Sequence, residues 1–123
     1  MLYEKHLKVI DENKDIFCEV SDAIWENPET SFEEYFATEI MTKKLEENGF
    51  SVTYNVSGIP TAFAATYGTG KPSLGILAEY DGLEGLSQEG EVAEKKSIPG
   101  KDKCHGCGHN LFAGGSLAAA FAS

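Results

Sequence analysis

The run from Leu111 to Ser123 sets the strongest limit on the fold. It contains no charged residue, and Leu117-Ala118-Ala119-Ala120-Phe121 is apolar on every side. A helix of that composition has no face suited to water, so it is expected to be enclosed all round by other elements. Nothing follows Ser123 to enclose it. The sequence therefore reads as the N-terminal portion of a larger protein.

The preceding residues can supply part of the cover. Among 123 residues, 41% are hydrophobic and 11% aromatic, enough for one small domain with a core. Leu2, Val9, Ile10, Phe17, Val20 and Ile24 recur at helical spacing, which predicts an amphipathic helix from residue 2 to about 26, ended by Pro28. A second helix is expected to open at Thr30 or Ser31, where Ser31 and Glu34 have the spacing of a capping box. Phe32, Phe36, Ile40, Met41 and Leu45 would form its buried stripe, and Gly49 its C-terminal cap.

Val52, Tyr54 and Val56 alternate with polar residues, the period of a half-buried strand, and residues 62–67 predict a second. Leu74-Gly75-Ile76-Leu77-Ala78 is wholly apolar and reads as a central strand covered on both faces. Helices combined with such strands make the expected class α/β, a mixed sheet flanked by helices. Glu79 and Asp81 stand at the C-terminal end of the central strand, where open α/β sheets bind ligands. Their chemistry suits acid/base work, support of a metal-ligating histidine, or binding of a hard ion. A solvated strand end would look the same. The loop that follows, Gly82 to Lys103, is long enough to suggest function or disorder.

That loop leads into Cys104-His105-Gly106-Cys107-Gly108-His109-Asn110, two thiols and two imidazoles in a short span. In extended backbone His105, Cys107 and His109 would share a face. Thiolate and imidazole suit zinc and related divalent ions, so the leading reading is a metal site with Cys107 and His109 as ligands. His105 stands as a third ligand, a supporting group or a loop residue. Two other readings compete. Cys104 and Cys107 form a Cys-x-x-Cys pair near a helix start, as in dithiol oxidoreductases. The four donors together would make a structural zinc module without catalysis.

Twenty acidic residues against ten basic give a net charge of -10, which opposes binding to nucleic acid or anionic lipid. Small molecules, peptides or proteins are the expected partners. The N-terminus lacks the apolar run of a signal peptide, and no stretch approaches the roughly 20 apolar residues that span a bilayer. A cytoplasmic protein with reduced thiols is expected, because three cysteines with Cys18 isolated do not make a disulfide framework.

Five segments together carry a family likeness. They are Ile24-Trp25-Glu26-Asn27-Pro28-Glu29-Thr30, Gly58-Ile59-Pro60-Thr61-Ala62-Phe63, Leu77-Ala78-Glu79-Tyr80-Asp81-Gly82-Leu83, Gly85-Leu86-Ser87 and His105-Gly106-Cys107-Gly108-His109-Asn110. In this order the chain resembles the metal-dependent amidohydrolases of the aminoacylase and carboxypeptidase type, the group that includes p-aminobenzoyl-glutamate hydrolases and aminoacyl-auxin hydrolases. The resemblance implies a zinc-exopeptidase-like catalytic domain, of which residues 1–123 would be the N-terminal part, and a smaller domain for dimerisation and closure over substrate. It implies two divalent ions, zinc or manganese, held in part by Cys107 and His109. Asp81 would be the catalytic aspartate beside the metals, and an N-acyl amino acid the substrate. The full-length protein would be a homodimer or pair with a related subunit.

The chain also departs from the pattern. Glu79 stands where related peptidases carry a histidine ligand, and Cys104 where a glycine is expected. Gly114-Gly115-Ser116 is looser than the usual helix start, and the family's paired glutamates and further histidines would lie beyond Ser123. The chain alone is therefore expected to bind metal weakly and to be inactive.

Overall fold

The structure, a computed structural model, describes residues 2–123; the side chain of Leu2, expected to head the first apolar stripe, lies outside the described residues. Among the described residues the fold is α/β, with three α-helices and two small antiparallel strand pairs. Helix α1 runs Leu2–Glu26. Its inward residues Phe17, Val20 and Ile24 are buried, as their spacing predicts. It ends as Asn27 turns back, its backbone N–H on the Ile24 carbonyl at 3.2 Å and its side-chain amide on Ala23 at 2.9 Å.

Helix α2 spans Tyr35–Glu47, starting later than the Ser31–Glu34 capping box predicts. The cap comes from Glu29 instead. Its carboxylate accepts the N–H groups of Phe36 and Ala37, each at 2.9 Å, and so satisfies two donors that the first turn of a helix leaves free. Residues 30–33 form a turn in which Phe32 has φ +71° and is 65% exposed. Moving the start of the helix also rotates the expected stripe. The buried face is Ala37, Thr38, Met41, Thr42 and Leu45, with Phe36 outside. Gly49 takes φ +86° and closes the C-terminus as expected.

Strands β1 (Ser51–Tyr54) and β2 (Phe63–Thr66) pair antiparallel, Ser51 opposite Thr66 and Tyr54 opposite Phe63. The first is shorter than its alternation suggests, because Asn55 enters the left-handed region and Val56–Gly58 makes a 3-10 turn. Strands β3 (Leu83–Glu84) and β4 (Lys103–Cys104) pair across the long loop and close its ends. Within that loop the Gln88 amide donates to the carbonyls of Glu89 and Glu94 and accepts from the N–H of Lys96. The expected structureless excursion is thus internally bonded.

Helix α3 (His109–Ala122) lies on α1. Gly114 permits the close approach: a Cβ there would meet the Phe17 carbonyl oxygen at 3.0 Å and Ser21 Cβ at 3.3 Å. Of the three small residues that look loose in sequence, Gly114 is the one that lets the two backbones meet, while a Cβ at Gly115 would meet nothing within 4 Å. Leu117 and Ala113 enter the core with Phe17, Val20, Ile24, Ala37, Met41 and Leu45, and Phe121 packs edge-on to Phe17 at 5.3 Å. Enclosure is one-sided. Leu111 and Phe112 face outward, exposed 69% and 41%, because no element packs on that side of α3 among the described residues.

Leu74–Ala78 departs furthest from expectation. The segment has no strand partner among the described residues, and Leu74 and Leu77 are 74% and 84% exposed. A strand exists through its ladder of backbone hydrogen bonds. Here an open cleft of about 1170 Å³, floored by Met41, Leu45, Leu117 and β2, lies beside it. The Ser116 hydroxyl tethers the segment to α3, donating to the Leu77 carbonyl at 2.8 Å.

Candidate metal centre

Asp81 leaves the apolar segment and is fixed at once by the turn after α1. Thr30 and Gly82 form a parallel bridge, and the Gly82 N–H donates to the Glu29 carbonyl at 2.6 Å. Space at Gly82 is tight: a Cβ there would lie 3.2 Å from the Cys104 carbonyl oxygen and 3.3 Å from Pro28 Cβ. The neighbouring Tyr80 anchors the same stretch inward. Its hydroxyl donates to the Thr61 carbonyl and lies 3.1 Å from the Thr38 hydroxyl, while the Thr61 hydroxyl donates to the buried Glu34 carboxylate at 2.7 Å. Burial pushes the Tyr80 phenol above its ordinary pKa, and the charges of Glu34 and Glu29 add to that against the hydrogen bond with Thr38.

His109 arrives from the other direction as the first residue of α3. Gly108 before it has φ +73°, and its carbonyl accepts the N–H groups of Leu111 and Phe112. This left-handed turn aims the imidazole at Asp81, with Nδ1 2.7 Å from Oδ1. The other carboxylate oxygen, Oδ2, accepts the Ser31 hydroxyl at 2.8 Å. Burial alone would raise the Asp81 carboxyl, but the hydrogen bonds from Ser31 and His109, the His109 charge and the backbone N–H outweigh it and hold it below the usual range. An ionised carboxylate only accepts, so the ring donates from Nδ1, and in its neutral form the lone pair lies on Nε2. Nε2 lies 3.7 Å from Glu79 Oε2.

That facing pair tests the site for a cation. Two acceptors oppose one another, and a proton or a metal ion between them relieves the conflict. Ligand atoms of Glu79, Asp81 and His109 all lie within 4.8 Å of one another. The Glu79 carboxylate beside the His109 imidazole offers oxygen and nitrogen donors that zinc and manganese accept. The pairing of a histidine with a carboxylate through its other nitrogen is also the usual support of a metal-bound imidazole. The residues present fit a divalent ion.

The other sequence candidates are separated. The turn at residues 105–108, closed by the Gly108 N–H on the His105 carbonyl at 2.9 Å, breaks the extended alternation that would align His105, Cys107 and His109. Cys107 is exposed and stands outside the three-residue group. His105 points inward, 3% exposed, and neither ring nitrogen has a hydrogen-bond partner among the described residues. Burial holds its pKa below the ordinary histidine value. Cys104 is buried in β4, so the two thiols of the Cys-x-x-Cys pair differ in exposure. Ser31 looks like a helix cap in sequence, and no local pattern reveals its link to Asp81, 50 residues away.

No family model matches the chain. Individual proteins do. It is 44% identical over 113 residues to a subunit of p-aminobenzoyl-glutamate hydrolase from Escherichia coli (strain K12), covering 92% of the chain and 24% of that protein. It is 31% identical over 133 residues to Xaa-Arg dipeptidase of Homo sapiens, covering 98% and 27%. Thermostable carboxypeptidase 2 of Saccharolobus solfataricus (strain ATCC 35092 / DSM 1617 / JCM 11322 / P2) is 29% identical over 122 residues, covering 98% and 30%. The chain thus spans about a quarter of the length of the curated relatives it matches. Likeness of this order across more than nine-tenths of its residues places the chain in the amidohydrolase and peptidase family to which these relatives belong.

Proposed function

We propose that the complete protein hydrolyses the amide bond of an N-acyl or N-aroyl amino acid, of p-aminobenzoyl-glutamate or dipeptide type, at a divalent metal centre. The observation that carries this is the Asp81–His109 pair at 2.7 Å in a chain with these relatives. Cys107 and His109 would hold metal, two ions of zinc or manganese in the complete site. Bound there, such ions supply Lewis acidity toward a carbonyl oxygen and lower the pKa of water.

The chain's own residues prepare that centre. Asp81 retains the proton on His109 Nδ1, which keeps the Nε2 lone pair free to bind. The Ser31 and His109 hydrogen bonds hold the Asp81 carboxylate in one orientation. Glu79, exposed beside Nε2, adds negative charge that attracts a cation to the same point. In this reading residues 1–123 are the N-terminal part of the catalytic domain. Further ligands and the closing domain come from other segments, and the assembly is a homodimer or a pair with a related subunit. The E. coli relative is itself one subunit of a hydrolase, which supports an assembly.

The test is metal content and hydrolysis of p-aminobenzoyl-glutamate and N-acyl amino acids by the complete gene product. Cys107→Ser should abolish turnover and Cys104→Ser should preserve it. Reducing activity that survives chelation but fails in Cys104→Ser would favour a dithiol oxidoreductase, a reading the buried Cys104 thiol disfavours. Unfolding on chelation without any turnover would favour a structural zinc module. A metal-loaded product that cleaves none of these substrates sinks the substrate assignment.

A further inference from the structure

Ser31 and Asp81 are joined by a hydrogen bond at 2.8 Å on the carboxylate oxygen that His109 does not use. We propose that Ser31 is a positioning residue, which fixes the rotation of the Asp81 carboxylate so that its other oxygen meets His109 Nδ1. The role rests on the metallohydrolase reading above and extends it to a residue outside the Cys/His cluster.

A carboxylate at a chain bend can rotate about its Cβ–Cγ bond, because the terminal sp²–sp³ torsion is broad. One hydrogen bond, from His109, leaves that rotation soft. Two bonds, one to each oxygen and from two different elements, define the plane. Ser31 can serve as the second donor because its own backbone is held. The Glu29 carboxylate is bonded to the start of α2, the Glu29 carbonyl accepts the Gly82 N–H, and Thr30 bridges Gly82. Residues 29–31 and 81–82 therefore form one strap, and the serine hydroxyl is its contact with the site. Ser31 is exposed, and among the described residues its hydroxyl bonds to Asp81 alone. Its removal leaves the core untouched.

The experiment uses the complete gene product with Ser31→Ala, Ser31→Thr and Ser31→Val. Threonine keeps the hydroxyl, and valine keeps threonine's shape without it, so comparing those two isolates the hydrogen bond even if the alanine variant folds poorly. Zinc and manganese affinities are measured by competition with a chromophoric chelator, and kcat and KM on p-aminobenzoyl-glutamate or the N-acyl amino acid that the wild type cleaves. Loss of a group that supports a ligating histidine costs about 10–100-fold in affinity or activity. Ser31 acts one bond further out, so about 10-fold is expected in metal affinity and kcat for Ala and Val, with KM nearly unchanged. Thr should stay within about 2-fold of the wild type. Equal behaviour of Thr and Val, or an unchanged metal affinity in Val, overturns the role while leaving the hydrolase reading intact. A wild type that neither binds these ions nor hydrolyses these substrates overturns the hydrolase reading itself, and the role falls with it.

Discussion

Asp81 shows how much of the site depends on one side chain's chemistry. Its two oxygens accept from two different elements, the turn after α1 and the start of α3, so it is both a joint and an electrostatic control. Asp81→Asn keeps the size and removes one acceptor. If the amide nitrogen faces His109, the ring must accept at Nδ1, carry its proton on Nε2, and present no lone pair for a metal. If it faces Ser31, the serine loses its acceptor. The expected result is a loss of about 10–100-fold in zinc affinity with little change in melting temperature. An affinity within about 3-fold of the wild type would mean that His109 is oriented by something other than this carboxylate. The pair joins residues 28 positions apart. No periodicity reveals it, and only the family resemblance names both partners in sequence. His105 is the opposite case. It looks equivalent to its neighbours because spacing says nothing about a left-handed glycine at 108, which turns one imidazole toward the site after the other has gone into the interior.

At the level of elements, legibility follows the range of the forces involved. Helix α1 is predictable from residue 2 to 26 because a long amphipathic period is a local signal that tertiary packing only confirms. The strands at 51–54 and 63–66 fall within their predicted spans, but the expected buried face of the first is reduced to half-buried Val52, since Tyr54 is 47% exposed and Val56 has left the strand. The start of α2 differs from expectation because a local motif, Ser31 with Glu34, competes with a tertiary one and loses. Asp81 takes Ser31, Thr61 takes Glu34, and Glu29 takes the free N–H groups of the helix. Glu29→Ala should therefore weaken α2 directly. Loss of a capping acceptor costs about 0.5–2 kcal/mol, and a charged group accepting two N–H bonds belongs at the upper end. The measurement is the shift of the urea midpoint at constant slope. Ser31→Ala, measured in parallel, should leave that midpoint nearly unchanged. A Glu29→Ala midpoint equal to the wild type's would show that water caps the helix equally well.

For the whole molecule the governing fact is an apolar surface that the chain does not cover. Leu74, Ile76 and Leu77 are exposed along a segment without a strand partner among the described residues, and Leu111 and Phe112 are exposed on the outer face of α3. An unpaired apolar edge is a template for pairing with another chain. The net charge of -10 opposes such pairing by long-range repulsion, which salt screens within about 8–10 Å near physiological ionic strength. The 123-residue chain should therefore associate with rising concentration, and more strongly as salt is added. Light scattering after size exclusion reads this directly. Leu77→Lys places a charge at the most exposed apolar position and should shift the chain toward monomer. If residues 1–123 are part of a longer catalytic domain, as proposed above, the same substitution should act with the opposite sign in that protein. A partner strand supplied there would cover Leu74–Ala78, and a buried unpaired lysine costs several kcal/mol or forces the side chain to lose its proton. Leu77→Lys should then lower the melting temperature of the complete protein while improving the solubility of the shorter chain. If it is harmless in both, the segment is a surface loop, and the apolar run does not build a strand. If it disrupts both, the cleft beside β2 already encloses Leu77 in solution.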